Sequence, residues 1–140
     1  MYSLRVKNVM DRKRRVTARP GTSVARASRL MAEKNVGAVM VVEDKRLLGI
    51  FTERDAVFRV IAEGKDPRAT RVAEVMTREP VTVSPDESFG HALMLMHEKG
   101  FRHVPVVKEG ATVGIVSARS ALDPDLEEFV SETQRRIALK

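Results

Sequence analysis

Cysteine is absent from this chain of 140 residues, and so is tryptophan. Without thiols there is no disulfide, no thiolate metal site and no cysteine nucleophile. That usage fits a reducing compartment, and the cytoplasm is the expected location. Aromatic residues make up only 4% of the chain, five Phe and one Tyr, which leaves little surface for stacking nucleic-acid bases. No apolar run approaches the ~18 residues a membrane span needs. The first residues, Met1 to Val6, lack the apolar block of a signal peptide. There are three histidines. His91 and His97 stand six apart, on different faces of a helix, and make poor metal partners. No nucleophile–base constellation is visible, so the chain is not expected to be an enzyme or to hold a metal.

The remaining composition is that of a globular protein, with 43% hydrophobic and 31% charged residues. The net charge is +6, but it is uneven: residues 1–65 carry +8 and residues 66–140 carry −2. The densest point is Arg12-Lys13-Arg14-Arg15. Such a run suggests nucleic acid first and a phosphorylated small ligand second.

Read in order, Val6–Met10 fits one helical turn and Val16–Ala18 a short strand, ended by Pro20-Gly21. Val24, Ala27, Leu30 and Met31 fall at helical spacing, and Gly37 is placed near the C-cap of that helix. Ala38–Val42 and Leu47–Phe51 read as a strand hairpin. Thr52 is a helix N-cap, with Ala56, Val57, Val60 and Ile61 predicted on one face. The second half replays this order. Val81–Val83 is the strand, Ser84–Glu87 the helix start, and Phe101–Val107 and Thr112–Val116 the hairpin. Ser117 opens the last helix, and residues 125–140 read as a charged amphipathic extension.

The repetition is quantitative. At an offset of 65 without gaps, residues 16–57 match residues 81–122 at 16 of 42 positions. Gly49-Ile50-Phe51-Thr52-Glu53-Arg54-Asp55 returns as Gly114-Ile115-Val116-Ser117-Ala118-Arg119-Ser120. Each copy is β-α-β-β-α, too small to cover both faces of its own sheet. Two copies packed about a pseudo-twofold axis solve that problem, giving an α/β (α+β) fold. The expected units are residues 1–66, residues 67–124 and a helical extension over 125–140.

This tandem repeat, with Val-Met before each first strand and Gly-x-x-Thr/Ser at each second helix, resembles a pair of CBS domains. The likeness covers residues 6–122. It implies a regulatory module, here standing alone, that binds adenosine-containing ligands (AMP, ADP or ATP, or else NAD or S-adenosylmethionine) between its repeats. It also implies a homodimer of pairs that acts as a ligand sensor for an unidentified regulated protein.

The resemblance further implies site residues. Asp55 would accept both ribose hydroxyls and Thr52 would donate to phosphate. A carboxylate can accept from a vicinal diol, and a helix start favours an anion. Thr52-x-x-Asp55 is also nearly a capping box, which needs no ligand. The second copy keeps the hydroxyl as Ser117 but has Ser120 in place of the acid, so one strong site is expected. Arg102, His103 and Pro105 of the opposite hairpin would face it, with Arg102 and His103 at phosphate and Pro105 at the base. Arg54 and Arg119 would reach phosphate or remain solvated. Lys7, Val9, Met10, Val16 and Thr17 would flank adenine or simply pack in the core.

Overall fold

The computed structural model describes residues 4–12, 15–121 and 135–138. The expected break at Asp123-Pro124 and most of the extension over 125–140 lie outside them; residues 135–138 are helical. The first repeat contains α1 (Val6–Val9), β1 (Thr17–Ala18), α2 (Val24–Lys34), β2 (Ala38–Glu43), β3 (Arg46–Thr52) and α3 (Glu53–Asp55). From Ala56 to Ile61 α3 continues with wider π winding. The second contains α4 (Val72–Val75), β4 (Thr77–Arg78), α5 (Phe89–Lys99), β5 (His103–Lys108), β6 (Ala111–Ser117) and a 3₁₀ turn over Ala118–Ala121.

Local chemistry fixes these elements in matched pairs. Ser23 Oγ accepts from the Arg26 N–H, and Ser88 Oγ accepts from the His91 N–H, each at 3.1 Å. The long helices end on left-handed caps, Asn35 at φ 54° and Gly100 at φ 74°. Asn35 therefore takes the cap expected of Gly37, because its short amide tolerates that region. Helix α5 begins at Phe89, not within Ser84–Glu87, which forms a turn closed by the Glu87 N–H on Ser84 O at 3.2 Å. Both hairpins turn on two residues of positive φ, Asp44-Lys45 and Glu109-Gly110, as the twist of paired strands requires.

The sheet runs β1-β2-β3-β6-β5, with β4 pairing β3. The hairpins meet at a single register point, Arg46 opposite Ala111. Parallel pairing of Thr17–Ala18 with β2 is echoed by the parallel bridge of Val83 to Val106. Of the expected strand Val81–Val83 only the bridge at Val83 forms, and a further short strand, Thr77–Arg78, pairs with β3.

The lead segments cross over. Residues 72–78 of the second copy dock on the first: the Val72 N–H donates to Thr22 O at 2.8 Å, and Ile50 pairs with Thr77. Residues 5–11 of the first copy dock on the second: the Val6 N–H donates to Glu87 O at 2.8 Å, and Asp11 pairs with Ile115. Each hydrophobic core is therefore mixed. One joins Val24, Ala27, Met31, Val39, Phe51 and Val60 to Val72, Val75 and Met76. The other joins Val83, Phe89, Ala92, Val104 and Val116 to Val6. A boundary at 66/67 separates the sequence copies but cuts through both packed units.

Helix α3 and its π continuation bury Ala56 only partly and Val60 fully, while Val57 and Ile61 face solvent at 50% and 68% exposure. The single face predicted for all four splits because this turn is wound through i→i+5 bonds, such as the Ala62 N–H to Val57 O at 2.8 Å.

Candidate functional site

The crossover builds a cleft at the end of β3. A cavity of about 350 Å³ opens there between the copies. Its first wall is the β3–α3 junction, with Ile50, Thr52, Glu53, Arg54 and Asp55. Its second is the lead segment of the other copy, with Thr77, Glu79, Pro80 and Val81. Its third is the approach to β5, with Gly100, Phe101, Arg102 and His103.

The Asp55 carboxylate is buried and already engaged. Its Oδ2 accepts from the Thr52 N–H at 2.9 Å and from the Thr52 hydroxyl at 3.2 Å. In return the Asp55 N–H donates to Thr52 Oγ1 at 3.3 Å, so the capping box is made in full. Thr52 spends its one hydroxyl proton on Asp55, and in this state it does not present that proton to a phosphate. Asp55 Oδ1 lies 3.5 Å from Arg59 Nε. Arg59 Nη1 also donates to Val75 O at 3.1 Å and Met76 O at 3.3 Å, tying the acid to the lead helix of the second copy. Both cap contacts on the carboxylate fall on Oδ2, and Asp55 lines a cleft that remains open. Arg54 lies over the Phe58 ring, 5.3 Å from its centroid, which draws its charge toward the outer helix face.

His103 is held below the ordinary histidine value of 6.5. Burial is the main cause, Glu53 pulls the other way, and Arg102 adds to the lowering. The unfolded chain therefore binds the proton more readily than the folded one. Stability contributed by neutral His103 is present above pH 6.5 and is lost as pH falls from there through the lower folded value. Urea unfolding between pH 7.5 and 5 is expected to show this loss, and His103→Gln is expected to flatten it. An unchanged slope in the variant would show that His103 is not the group responsible.

The structure brings together five of the residues expected at the site: Thr52, Arg54, Asp55, Arg102 and His103. It separates the others. Lys7 pairs with Asp86 at 3.3 Å on the second copy. Val9 and Met10 pack on the second core, with Met10 against Gly114. Val16 packs on the first core and Thr17 is exposed in β1. Pro105 is buried within β5, in register with Ile115. Ser117 and Arg119 stand at the end of β6, the matching position of the other copy, and the Ser120 side chain lies outside the described residues. Exchange of the lead segments is the physical reason: the segment beside Asp55 is residues 77–81, not residues 7–17. The sequence offset of 65 relates Val16 to Val81 and would have found that wall had the exchange been assumed. Glu79 there sits at φ 46°, unusual for a non-glycine residue.

Among the described residues no group of three His, Asp or Glu is placed to hold a metal, and no helix is long and apolar enough to cross a membrane. His91 and His97 are exposed on α5.

Comparison with known proteins gives one consistent result. The CBS domain family matches residues 6–62 and 72–125. The chain is 36% identical over 114 residues to "CBS domain-containing protein CBSX3, mitochondrial" of Arabidopsis thaliana, covering 78% of this chain and 55% of that protein. It thus spans about half the length of that relative. A crystal structure of an uncharacterized conserved protein from Pyrococcus horikoshii superposes with a TM-score of 0.82 at 32% identity, covering 89% of this chain and 94% of that one. The CBS domain pair of protein MJ0100, in complex with 5′-methylthioadenosine and S-adenosyl-L-methionine, superposes with a TM-score of 0.80 at 25% identity, covering 89% and 98%.

Proposed function

The chain belongs to the CBS-domain family as a tandem pair, and from that premise we propose that it is a regulatory module binding an adenosine-containing ligand in the Asp55 cleft. The observation that carries this reading is the open cavity of about 350 Å³ whose lining joins a buried carboxylate to Arg102 and His103. Ribose hydroxyls donate to Asp55 Oδ1, the oxygen its own cap leaves least used. Val81 and Phe101 offer apolar surface for the base. The 5′ group extends toward Arg102 and His103. The adenosine ligands of the MJ0100 pair support the ligand class. Arg102 and His103 can receive a 5′ phosphate, so AMP belongs to the ligand class alongside adenosines with a neutral 5′ group.

The ligand spans walls from both copies, so binding favours one relative arrangement of the repeats, and a regulated protein reads that arrangement. The pair itself associates with a second copy through the exposed apolar stripe of Val57, Phe58 and Ile61.

Thermal unfolding with AMP, adenosine and S-adenosylmethionine tests the ligand reading. A ligand at 100 times its dissociation constant stabilises the fold by about 2.7 kcal/mol. Asp55→Asn is expected to abolish that rise, since the amide presents an N–H or a single acceptor to the diol. Losing half of the cap also costs the ligand-free chain about 1 kcal/mol. A ligand-induced rise that survives intact in Asp55→Asn would overturn the assignment of Asp55, and no rise with any adenosine compound would overturn the ligand class.

A further inference from the structure

Gly37, at the turn into β2, is a meeting point of the two copies. The Glu53 N–H donates to Gly37 O at 3.0 Å, which pins the first residue of α3 over this spot. A Cβ placed on Gly37 would stand 3.0 Å from Glu53 Oε1 and 3.2 Å from His103 Nε2. Both side chains therefore lean over one α-carbon, one from α3 of the first copy and one from β5 of the second. A side chain at this position would crowd both of them by a few tenths of an ångström. Among the described residues the Glu53 carboxylate has no salt bridge.

The charged groups around His103 are few. Glu53 faces it from α3, and Arg102 adjoins it on its own strand. Asp55, Arg54 and Glu79 line the same cavity. Asp55 is matched by Arg59, and Arg54 by the Phe58 ring. Glu53 is the carboxylate beside the end of the cleft where the 5′ group of a nucleoside would lie. We propose that Glu53 determines which 5′ group the cleft accepts, by occupying the face of His103 that a ligand phosphate would otherwise take. The proposal rests on the adenosine reading above and adds a selection to it. With Glu53 in place, a neutral 5′ group enters freely, and a phosphate must displace the carboxylate and tolerate its charge nearby. Glu53 is thus an internal stand-in for an anion, supplied by one copy and received by the other.

Calorimetric titration of adenosine and AMP at pH 7.5 and low salt tests this on the wild type, Glu53→Gln and Glu53→Asp. The readout is the ratio of AMP to adenosine affinity. It is expected to rise about tenfold in Glu53→Gln, the effect of removing one like charge at close range. In Glu53→Asp, which keeps the charge, it is expected to stay near the wild-type value. An NMR titration of ligand-free His103 gives a second readout that needs no nucleotide. Its pKa is expected to drop in Glu53→Gln, because a neighbour that favours the proton is gone. An unchanged ratio with adenosine still bound overturns the selection and leaves the adenosine reading intact. Equal rises in Glu53→Gln and Glu53→Asp overturn it as well, since shape and not charge would then be at work. Failure of both adenosine and AMP to bind overturns the adenosine reading and this inference together.

Discussion

Phe51→Ala is expected to destabilise the fold by about 3–5 kcal/mol, the range for emptying a fully buried aromatic site. Phe51 has no exposed surface and lies in the mixed core between α2 and the lead helix of the second copy. It pairs with Val39 in the β2–β3 ladder, and the preceding residue, Ile50, is paired on both sides, by Met40 and by Thr77, so the backbone here collapses little. The loss is a large share of the 5–15 kcal/mol that holds a typical domain together. Phe51 also immediately precedes Thr52, so the cavity loosens the residue that starts the capping box. Urea unfolding measures the loss, and a cost under about 1 kcal/mol, the level of an ordinary surface change, would show that the site repacks.

Gly49→Ala is expected to act on the same seam by overfilling it. An added Cβ would lie 2.5 Å from Met76 Sδ and 2.7 Å from the Thr77 carbonyl oxygen. The sulfur can swing aside, but the carbonyl belongs to β4, which pairs with β3 at this position. Relief therefore requires the lead segment of the second copy to move off the hairpin. Overpacking of this kind costs about 1–3 kcal/mol and more where backbone must shift. The matching change, Gly114→Ala, meets Met10 Sδ at 2.9 Å and the Asp11 carbonyl oxygen at 3.2 Å, a looser fit. Gly49→Ala is thus the more damaging of the two. It alone displaces the wall of Thr77 to Val81, and with it the ligand-induced rise in melting temperature. Equal effects of the two variants on stability would contradict this asymmetry.

The repeat, the fold class and the hairpins were legible in the sequence, because they rest on local signals. Apolar residues at helical spacing mark the matched helices, polar turns close matched hairpins, and apolar runs mark strands covered on both faces; the start of α5 alone was placed too early, at Ser84–Glu87, because Ser88 is its cap. Thr52 and Asp55 were legible as a reciprocal pair for the same reason: three residues separate partners that bond each other. The exchange of lead segments was not legible. Val6–Met10 and Val72–Met76 are nearly the same sequence, and each could satisfy either hairpin. Connection length and the global packing decide between them, and neither leaves a mark on single residues. Lys7, Val9 and Met10 were for that reason assigned to the cleft they do not line, and Glu79 and Val81 were overlooked. Val57 and Ile61 were misplaced by a different cause. A 3.6-residue period was assumed for a segment wound more widely, and the outward apolar pair was placed on the same face as Ala56 and Val60.

The arm exchange has an ancestral corollary. A lone β-α-β-β-α unit of this design would present a groove waiting for someone else's arm, and would satisfy it by pairing with a sibling that held the same vacancy. Duplication with fusion of such a unit would place both siblings on one polypeptide and make the embrace permanent. Severing the tether between residues 62 and 71 should therefore yield two fragments that are insoluble apart yet reassemble when mixed.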